Sequence, residues 1–158
     1  MSLEHAAKAL ASRGHADSGF VEDVVKIVRG YIASPVVHLP CSNDEILACT
    51  WAHRLIVDGV ATPEEIASAT TPFVAECAAV FAHALSAGSR LDEVTRLSER
   101  TVTRIIAAAR ARAELRTLRR ARQTPPIEAR LELVRLMDHL YAMHNAEQGV
   151  PARGEVGQ

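Results

Sequence analysis

The stretch SERTVTRIIAAARARAELRTLRRAR, residues 98–122, constrains the fold most strongly, because its apolar face changes side along one helical segment. Positions 18 residues apart are separated by five full turns of an α-helix, so Leu118 lies above Arg100. The apolar side of the helix therefore inverts within residues 109–115. One straight helix on one core cannot satisfy both halves. The second half must kink, or it must leave the core and pack on the final helix, a second protomer or a nucleic acid.

Composition and periodicity predict an all-α fold. The chain is 48% apolar but only 4% aromatic, which favours helices packed through small side chains over a sheet. Its 158 residues suffice for one well-filled domain. Apolar periodicity and stop signals predict helices at residues 3–12, 19–34, 42–59, 62–69, 72–87, 91–97, 98–115 and 124–147. We therefore expect a compact multi-helix domain with long C-terminal helices.

The same signals predict how the chain is organised. We expect a helical domain over residues 1–123 with a helix-turn-helix-like unit at about 81–113, a C-terminal helix over 124–148 and a disordered tail over 149–158. Residues 51–74 and 81–102 share an aromatic-Ala-His start, a glycine and a Glu-Ile or Glu-Val pair. This similarity is either an internal repeat of a helix-turn-helix-like unit or a coincidence in an alanine-rich chain.

Charge is divided unevenly along the chain. The formal net charge is −1, yet residues 1–95 carry 6 basic and 12 acidic side chains, and residues 96–158 carry 12 arginines and 7 acidic side chains. Lysine is absent after Lys26, and the planar guanidinium of arginine suits phosphate groups. This asymmetry predicts a polyanionic partner, or acidic and basic segments of the chain that pack on each other. The candidate carboxylates for such internal pairs are Glu22, Asp23, Asp44 and Glu45.

The segment that begins at Ser98 has the arrangement of a DNA recognition helix. Ser98 can cap the helix, while Val102 and Ile106 lie on an apolar side that would pack on the preceding helix. Polar residues near the helix start would then face base edges, where arginine pairs with guanine and threonine can touch a thymine methyl group. The predicted DNA-binding residues are Ser98, Arg100, Thr101, Thr103 and Arg104, followed by Arg112, Arg116 and Arg119.

Leu97, Ser98, Thr101 and Val102 match the L-S-x-x-T-V turn and helix start of the helix-turn-helix superfamily of bacterial transcription regulators, which this stretch resembles. The preceding helix, LDEVTRL, is shorter than the common pattern and the usual turn glycine is replaced. The stretches AHRLIVDG and AGSRLDEVTRLS are loosely similar to the flagellar master-activator subunits. These resemblances imply a helical transcription regulator that acts in an oligomer.

Two functions follow from these patterns. The first is a transcription regulator that reads double-stranded DNA with the helix starting at Ser98. The alternative is a non-enzymatic helical adaptor whose arginine-rich helix docks on an acidic protein, such as another regulatory protein. We expect no enzyme, because the acidic pairs lie at helix starts, where capping explains them, and neither a nucleophile–base pair nor a glycine-rich phosphate loop has supporting context.

The last helix is predicted to build a homodimer. Thr124 can cap it, with the following prolines in the first turn. Its apolar residues extend around more than a third of the circumference, so it needs cover on more than one side. The alternative is that it forms the central helix of the monomer core. The predicted dimer residues are Leu133, Leu136, Met137 and Leu140, and a further apolar stripe contains Ile127, Leu131 and Val134.

A zinc site is a weaker alternative in the first half. His38, Cys41, Cys49 and His53 offer two nitrogen and two sulfur ligands, as tetrahedral zinc prefers. Buried core residues explain the same positions better, and Cys77 is expected in the core. We therefore predict no metal and no cofactor, with reduced thiols. The N-terminus lacks a signal-peptide core and the chain lacks an apolar run of about 20 residues, so we expect a cytoplasmic protein without a membrane segment.

Overall fold

The structure is a computed structural model that describes residues 2–14, 18–33, 41–86 and 101–147, with side chains to residue 138 in the last helix. Within these ranges the chain forms seven helices and no strand, which confirms the all-α fold class. The helices are α1 Leu3–Ala11, α2 Ser18–Ala33, α3 Asn43–Ala52, α4 Pro63–Ala69, α5 Pro72–Ser86, α6 Thr101–Arg120 and α7 Ile127–Glu147. None of these described helices combines the length and the apolar character needed to cross a membrane.

Four of the described helices begin at capping hydroxyls. Ser2, Ser42, Thr62 and Thr71 each accept a hydrogen bond from the backbone N–H three residues further on. Asp44 has a second structural role, because its two carboxylate oxygens accept from the first two N–H groups of α1 at 2.8 and 2.9 Å. A carboxylate is favourable at the positive end of a helix, so Asp44 ties α3 to the start of α1.

One core joins all the described helices. Helix α1 packs on α3, α3 packs on α2 and α5, and α4 packs on α5, while α6 packs on α2 and α7. The largest fully buried apolar side chains are Phe81, Ile46, Ile66, Ile105, Ile106 and Leu136. Cys77, expected in the core, is 1% exposed. The first half of α6 therefore lies inside this core, and α7 contributes to it.

The ends of α3 and α6 and the start of α7 differ by more than one residue from those predicted. Helix α3 ends at Ala52 rather than Gly59, because the chain turns so that the N–H groups of Val60 and Ala61 both donate to the Leu55 carbonyl oxygen. Gly59 has a φ of 69°, which glycine adopts without a steric penalty.

Helix α7 begins at Ile127, after the two prolines, and Thr124 does not cap it. A proline disfavours the α conformation in the residue before it, so Pro126 keeps Pro125 out of the helix. The Pro126 carbonyl oxygen then accepts from the N–H groups of Ala129 and Arg130.

Helix α6 continues unbroken to Arg120, past the point where its apolar face changes side. Beyond the core, Leu115 lies beside Leu133 of α7 and Leu118 lies beside Phe20 of α2, so α7 and α2 together cover the inverted face. The helix ends where the N–H of Gln123 donates to the Leu118 carbonyl oxygen at 2.9 Å and Arg122 adopts a φ of 56°. The last turns of α6 therefore carry exposed arginines at the end of the molecule where α6 and α7 meet, which we call the α6–α7 end.

Candidate functional site

The first half of α6 crosses the core, whereas a recognition helix has to lie on the protein surface. Every residue from Thr101 to Ala111 except Arg104 is buried, with Thr101 5% and Thr103 0% exposed. A recognition helix presents its first turns to the major groove. The prediction that Thr101 and Thr103 contact DNA is therefore wrong. Arg104 is half-buried.

Two other predicted DNA contacts, Ser98 and Arg100, lie outside the described residues, as do parts of the predicted helix-turn-helix-like unit. The two proposed repeat units differ in their shared histidine, because His53 is buried and His83 is exposed.

Arg110 is a buried cation that sequence reasoning missed. Only 5% of the residue is exposed, and its guanidinium Nη1 donates to Nε2 of His53 at 2.9 Å. Nη2 lies 3.6 Å from the Glu114 carboxylate, and the guanidinium carbon lies 5.1 Å from the centre of the Phe20 ring. Burial lowers the pKa of Arg110, and the Glu114 carboxylate counters this shift. One cation thus links α2, α6 and the end of α3.

His53 is held in its neutral form by these neighbours. Its Nδ1–H donates to the Thr50 carbonyl oxygen, which leaves Nε2 as the acceptor for Arg110. The ring also meets Phe81 edge-on, with the two ring centres 5.2 Å apart. Burial, and next the Arg110 charge, lower the pKa of His53 from 6.5 to about 3. His53 is therefore a core acceptor for a buried cation.

Acid is expected to destabilise the fold through His53. Below about pH 6.5 the unfolded chain takes up a proton on this ring and the folded chain does not, so the free energy of unfolding falls. Each pH unit in this window lowers it by about 1.4 kcal/mol. Urea titrations should therefore give an unfolding free energy about 2 kcal/mol lower at pH 5 than at pH 7. His53→Gln keeps an acceptor for Arg110 and should lose most of this difference; a variant that keeps all of it would contradict the assignment.

Beyond the core, α6 places arginines along one face. Arg112, Arg116 and Arg119 follow each other at four and three residues, so their side chains share a face of the helix. The Arg112 guanidinium lies over the Tyr31 ring at 5.5 Å, while Arg116 and Arg119 are exposed. A stacked guanidinium is held in place before any partner arrives. The structure therefore brings together these three predicted site residues.

A groove between α6 and α7 runs beside these arginines. It has a volume of about 190 Å³ and is lined by Arg112, Leu115, Arg116, Arg119 and Leu133. Leu115 is buried and Leu133 is half-buried, so the groove has an apolar floor and a basic rim. We call this feature the arginine groove. Sequence reasoning found its arginines, but it assigned them to phosphates and did not connect them with Leu133.

An ion pair between the acidic and basic halves joins Arg120 to Asp23. Arg120 Nη1 donates to Asp23 Oδ2 at 3.0 Å, which joins the end of α6 to α2. The arginine side chain of this pair is 65% exposed, so the pair contributes little to stability. Arg120 is therefore already engaged with α2.

The predicted dimer residues of α7 are largely core residues. Leu136 is 0% exposed, and Leu133 and Met137 pack partly buried against the core. A side chain that is buried within one chain cannot contact a second protomer, so the prediction that Leu136 is a dimer contact is wrong. The partial burial of Leu133 and Met137 leaves them little free surface for such a contact. The side chain of Leu140 lies outside the described residues. Among the described side chains, the exposed large apolar residues are instead Ile127 at 63%, Leu131 at 45% and Val134 at 55%.

All three cysteines are free thiols, and Cys49 and Cys77 are buried while Cys41 is half-buried. The thiols of Cys49 and Cys77 share a hydrogen bond, and this contact and burial raise the pKa of Cys49 far above its usual value. Burial, followed by Glu45 and Cys77, raises the pKa of Cys41 to about 11. Among the residues with described positions, no three His, Cys, Asp or Glu side chains are arranged to hold a metal ion, and His38 is not among those residues.

A second cavity, of about 180 Å³, lies between α1, α2 and the turn after α3. Three of its four charged lining residues already have contacts. The Lys8 ammonium lies 5.4 Å from the centre of the Trp51 ring, and Arg54 donates to Asp58 at 3.0 Å. Because these charged side chains are already engaged within the chain, the arginine groove is the stronger candidate for a binding site.

Comparison of the chain with protein-family models, with curated proteins and with solved structures gives no significant match. The functional argument therefore rests on the geometry of the arginine groove and of α7.

Proposed function

We propose that this chain is a non-enzymatic helical interaction module that binds an acidic, amphipathic segment of a partner protein in the arginine groove. The observation that carries the proposal is the combination of an apolar floor, Leu115 and Leu133, with a rim of three arginines. Carboxylates pair with guanidinium groups in two parallel hydrogen bonds, and an apolar side chain between them would cover the floor. A partner helix with acidic residues at the same four- and three-residue spacing fits this surface.

The groove is suited to binding because part of it is ordered in advance. Arg112 is stacked on Tyr31, and its Nε is buried without a hydrogen-bond partner among the described residues. A buried donor without an acceptor is costly, so the stack on Tyr31 and the surrounding packing must hold Arg112 in this position. Groups that are already ordered lose less conformational entropy on binding.

Double-stranded DNA is the second candidate partner. Arg116, Arg119, Arg122 and Arg130 are exposed near the same end of the molecule, and arginines of this kind contact phosphates without reading sequence. With Thr101 and Thr103 buried, DNA binding would depend on such backbone contacts. A regulator of this kind would need another source of sequence specificity, so the protein partner is the better-supported proposal.

Charge reversal in the arginine groove is expected to remove partner binding. The probe is a fluorescent helical peptide with glutamates at the four- and three-residue spacing and leucines beside them, and its control is a scrambled peptide of the same composition. Arg116→Glu combined with Arg119→Glu should weaken peptide binding at least about tenfold, since two ion pairs become repulsive. Lys26→Glu reverses an exposed charge on α2 and should leave the affinity unchanged.

Fluorescence polarisation with the two peptides and with a labelled DNA duplex separates the candidates. Equal affinity for the ordered and the scrambled peptide would contradict recognition by the groove. Tight binding to the duplex, with an affinity that falls steeply with salt and with no binding to either peptide, would establish the DNA function in its place.

A further inference from the structure

Helix α7 has a second apolar face that its own chain leaves exposed. Ile127, Leu131 and Val134 are 63%, 45% and 55% exposed and follow each other at four and three residues, so they form one stripe, here called the outer stripe. Leu136, at 0% exposure, lies on the opposite side of the helix and holds α7 to the core. Three neighbouring large apolar residues on one helix face mark an interaction surface.

We propose that the outer stripe packs against the outer stripe of a second copy of this chain, with the two α7 helices antiparallel about a two-fold axis near Leu131. The charges beside the stripe identify the occupant. Glu128 and Arg135 lie seven residues apart on the same flank of the helix. In a two-fold antiparallel pair each flank meets itself in the opposite direction, so Glu128 of one copy faces Arg135 of the other, twice.

The apolar register agrees with the charge register. When Glu128 faces Arg135 of the second copy, the axis passes half a residue beyond Leu131, and Ile127 of one copy and Val134 of the other are offset by only about 3 Å along the helix. The same alignment therefore covers the three apolar residues and creates two ion pairs. In a parallel arrangement the flank with Glu128 and Arg135 would instead face the opposite flank of the second helix, and this match would be lost. The charges on this flank therefore match those of a second copy only when the two helices are antiparallel.

This inference is independent of the proposed partner, because the outer stripe and the arginine groove are different faces of the α6–α7 end. Along the paired helices, the two Ile127 residues would be about 14 Å apart at a rise of 1.5 Å per residue. The two arginine grooves would then belong to one assembly with two equivalent partner sites. Charge reversal in the groove should leave the dimer intact, and disruption of the stripe should leave each groove able to bind its peptide.

Sedimentation over a range of protein concentrations tests the dimer. The wild-type chain should show dimer mass at high concentration and dissociate on dilution. Leu131→Glu should abolish the dimer and retain the helical signal and melting temperature of the monomer, because Leu131 is exposed in the single chain. A wild-type chain that stays at monomer mass at every concentration would overturn the proposal, as would a dimer that Leu131→Glu leaves unchanged.

Charge exchange tests the arrangement itself. Glu128→Arg alone and Arg135→Glu alone each create two like-charged pairs and should weaken the dimer about tenfold. The double variant should restore it, and so should a mixture of the two single variants, which form a complementary pair. Glu64→Arg makes the same charge change on α4, away from α7, and should have no effect. A double variant as weak as the singles would refute the antiparallel register.

Discussion

Replacing His53 with leucine is expected to lower the free energy of unfolding by about 3–5 kcal/mol, although leucine is apolar and the site is fully buried. The reason lies in Arg110. Its guanidinium donates to His53 Nε2 at 2.9 Å, and it keeps only the longer contact to Glu114 and the face of Phe20 when that acceptor is removed. A buried cation that loses a hydrogen-bond partner costs far more than the bond contributed.

The companion change Arg110→Met should cost less, about 1 kcal/mol, because it removes the buried charge and leaves one uncharged acceptor unpaired. The double variant His53→Leu/Arg110→Met should recover most of the stability lost by His53→Leu, since an apolar pair of similar volume can replace a buried polar pair. Urea unfolding followed by circular dichroism measures all four proteins, and the cycle gives the coupling energy. Additive losses from the two single changes would show that the contact is not coupled.

The spacing of Arg110 from its neighbours in the sequence indicates that its side chain lies near the core. Val102, Ile106 and Arg110 follow each other at four residues, so they lie on one face of α6, and the first two were assigned to the core. A basic residue on the same helix face as two core residues predicts either that its charge is buried or that the core ends at its position. Nothing in the sequence names its acceptor, however, because His53 lies 57 residues away and is brought close only by the packing of α3 against α6.

Periodicity predicted most of the described helices and the charge pattern predicted an arginine-rich surface, because both are local properties. The burial of the start of α6 is not local. Thr101 and Thr103 are small enough to pack inside a core and polar enough to suggest a DNA contact. The pattern of a recognition helix is an apolar face opposite a polar one, and here neighbouring helices cover both faces. Local sequence therefore could not distinguish a surface helix from a central one.

The same ambiguity affected α7, where two apolar faces compete for the core. Ile127, Leu131 and Val134 form one face, and Leu133 and Leu136 lie on the other. Their side chains have similar volume and hydrophobicity, so transfer free energy does not rank one face above the other. The choice depends on the fit of α7 against α6, where the Leu133 side would meet Leu115 across the arginine groove. Substitutions on the two faces should therefore have very different effects.

Leu136→Ala is expected to lower the free energy of unfolding by about 2–5 kcal/mol, because the residue is fully buried and its removal leaves a cavity between α7 and the core. Val134→Ala removes apolar atoms of the same kind from a position that is 55% exposed, and it should change stability by less than about 0.5 kcal/mol. Alanine also favours the helix, which offsets part of that small loss.

Urea titrations should be made at a protein concentration where sedimentation gives monomer mass, so that dimerisation does not contribute to the measured stability. Equal losses from Leu136→Ala and Val134→Ala would mean that both faces are buried in the single chain, and the outer stripe would then be unavailable to a second copy. A large loss confined to Leu136 would place the core on that face alone. Leu131→Ala, on the outer stripe, should then behave as Val134→Ala does, with little change in the monomer and a weaker dimer at high concentration.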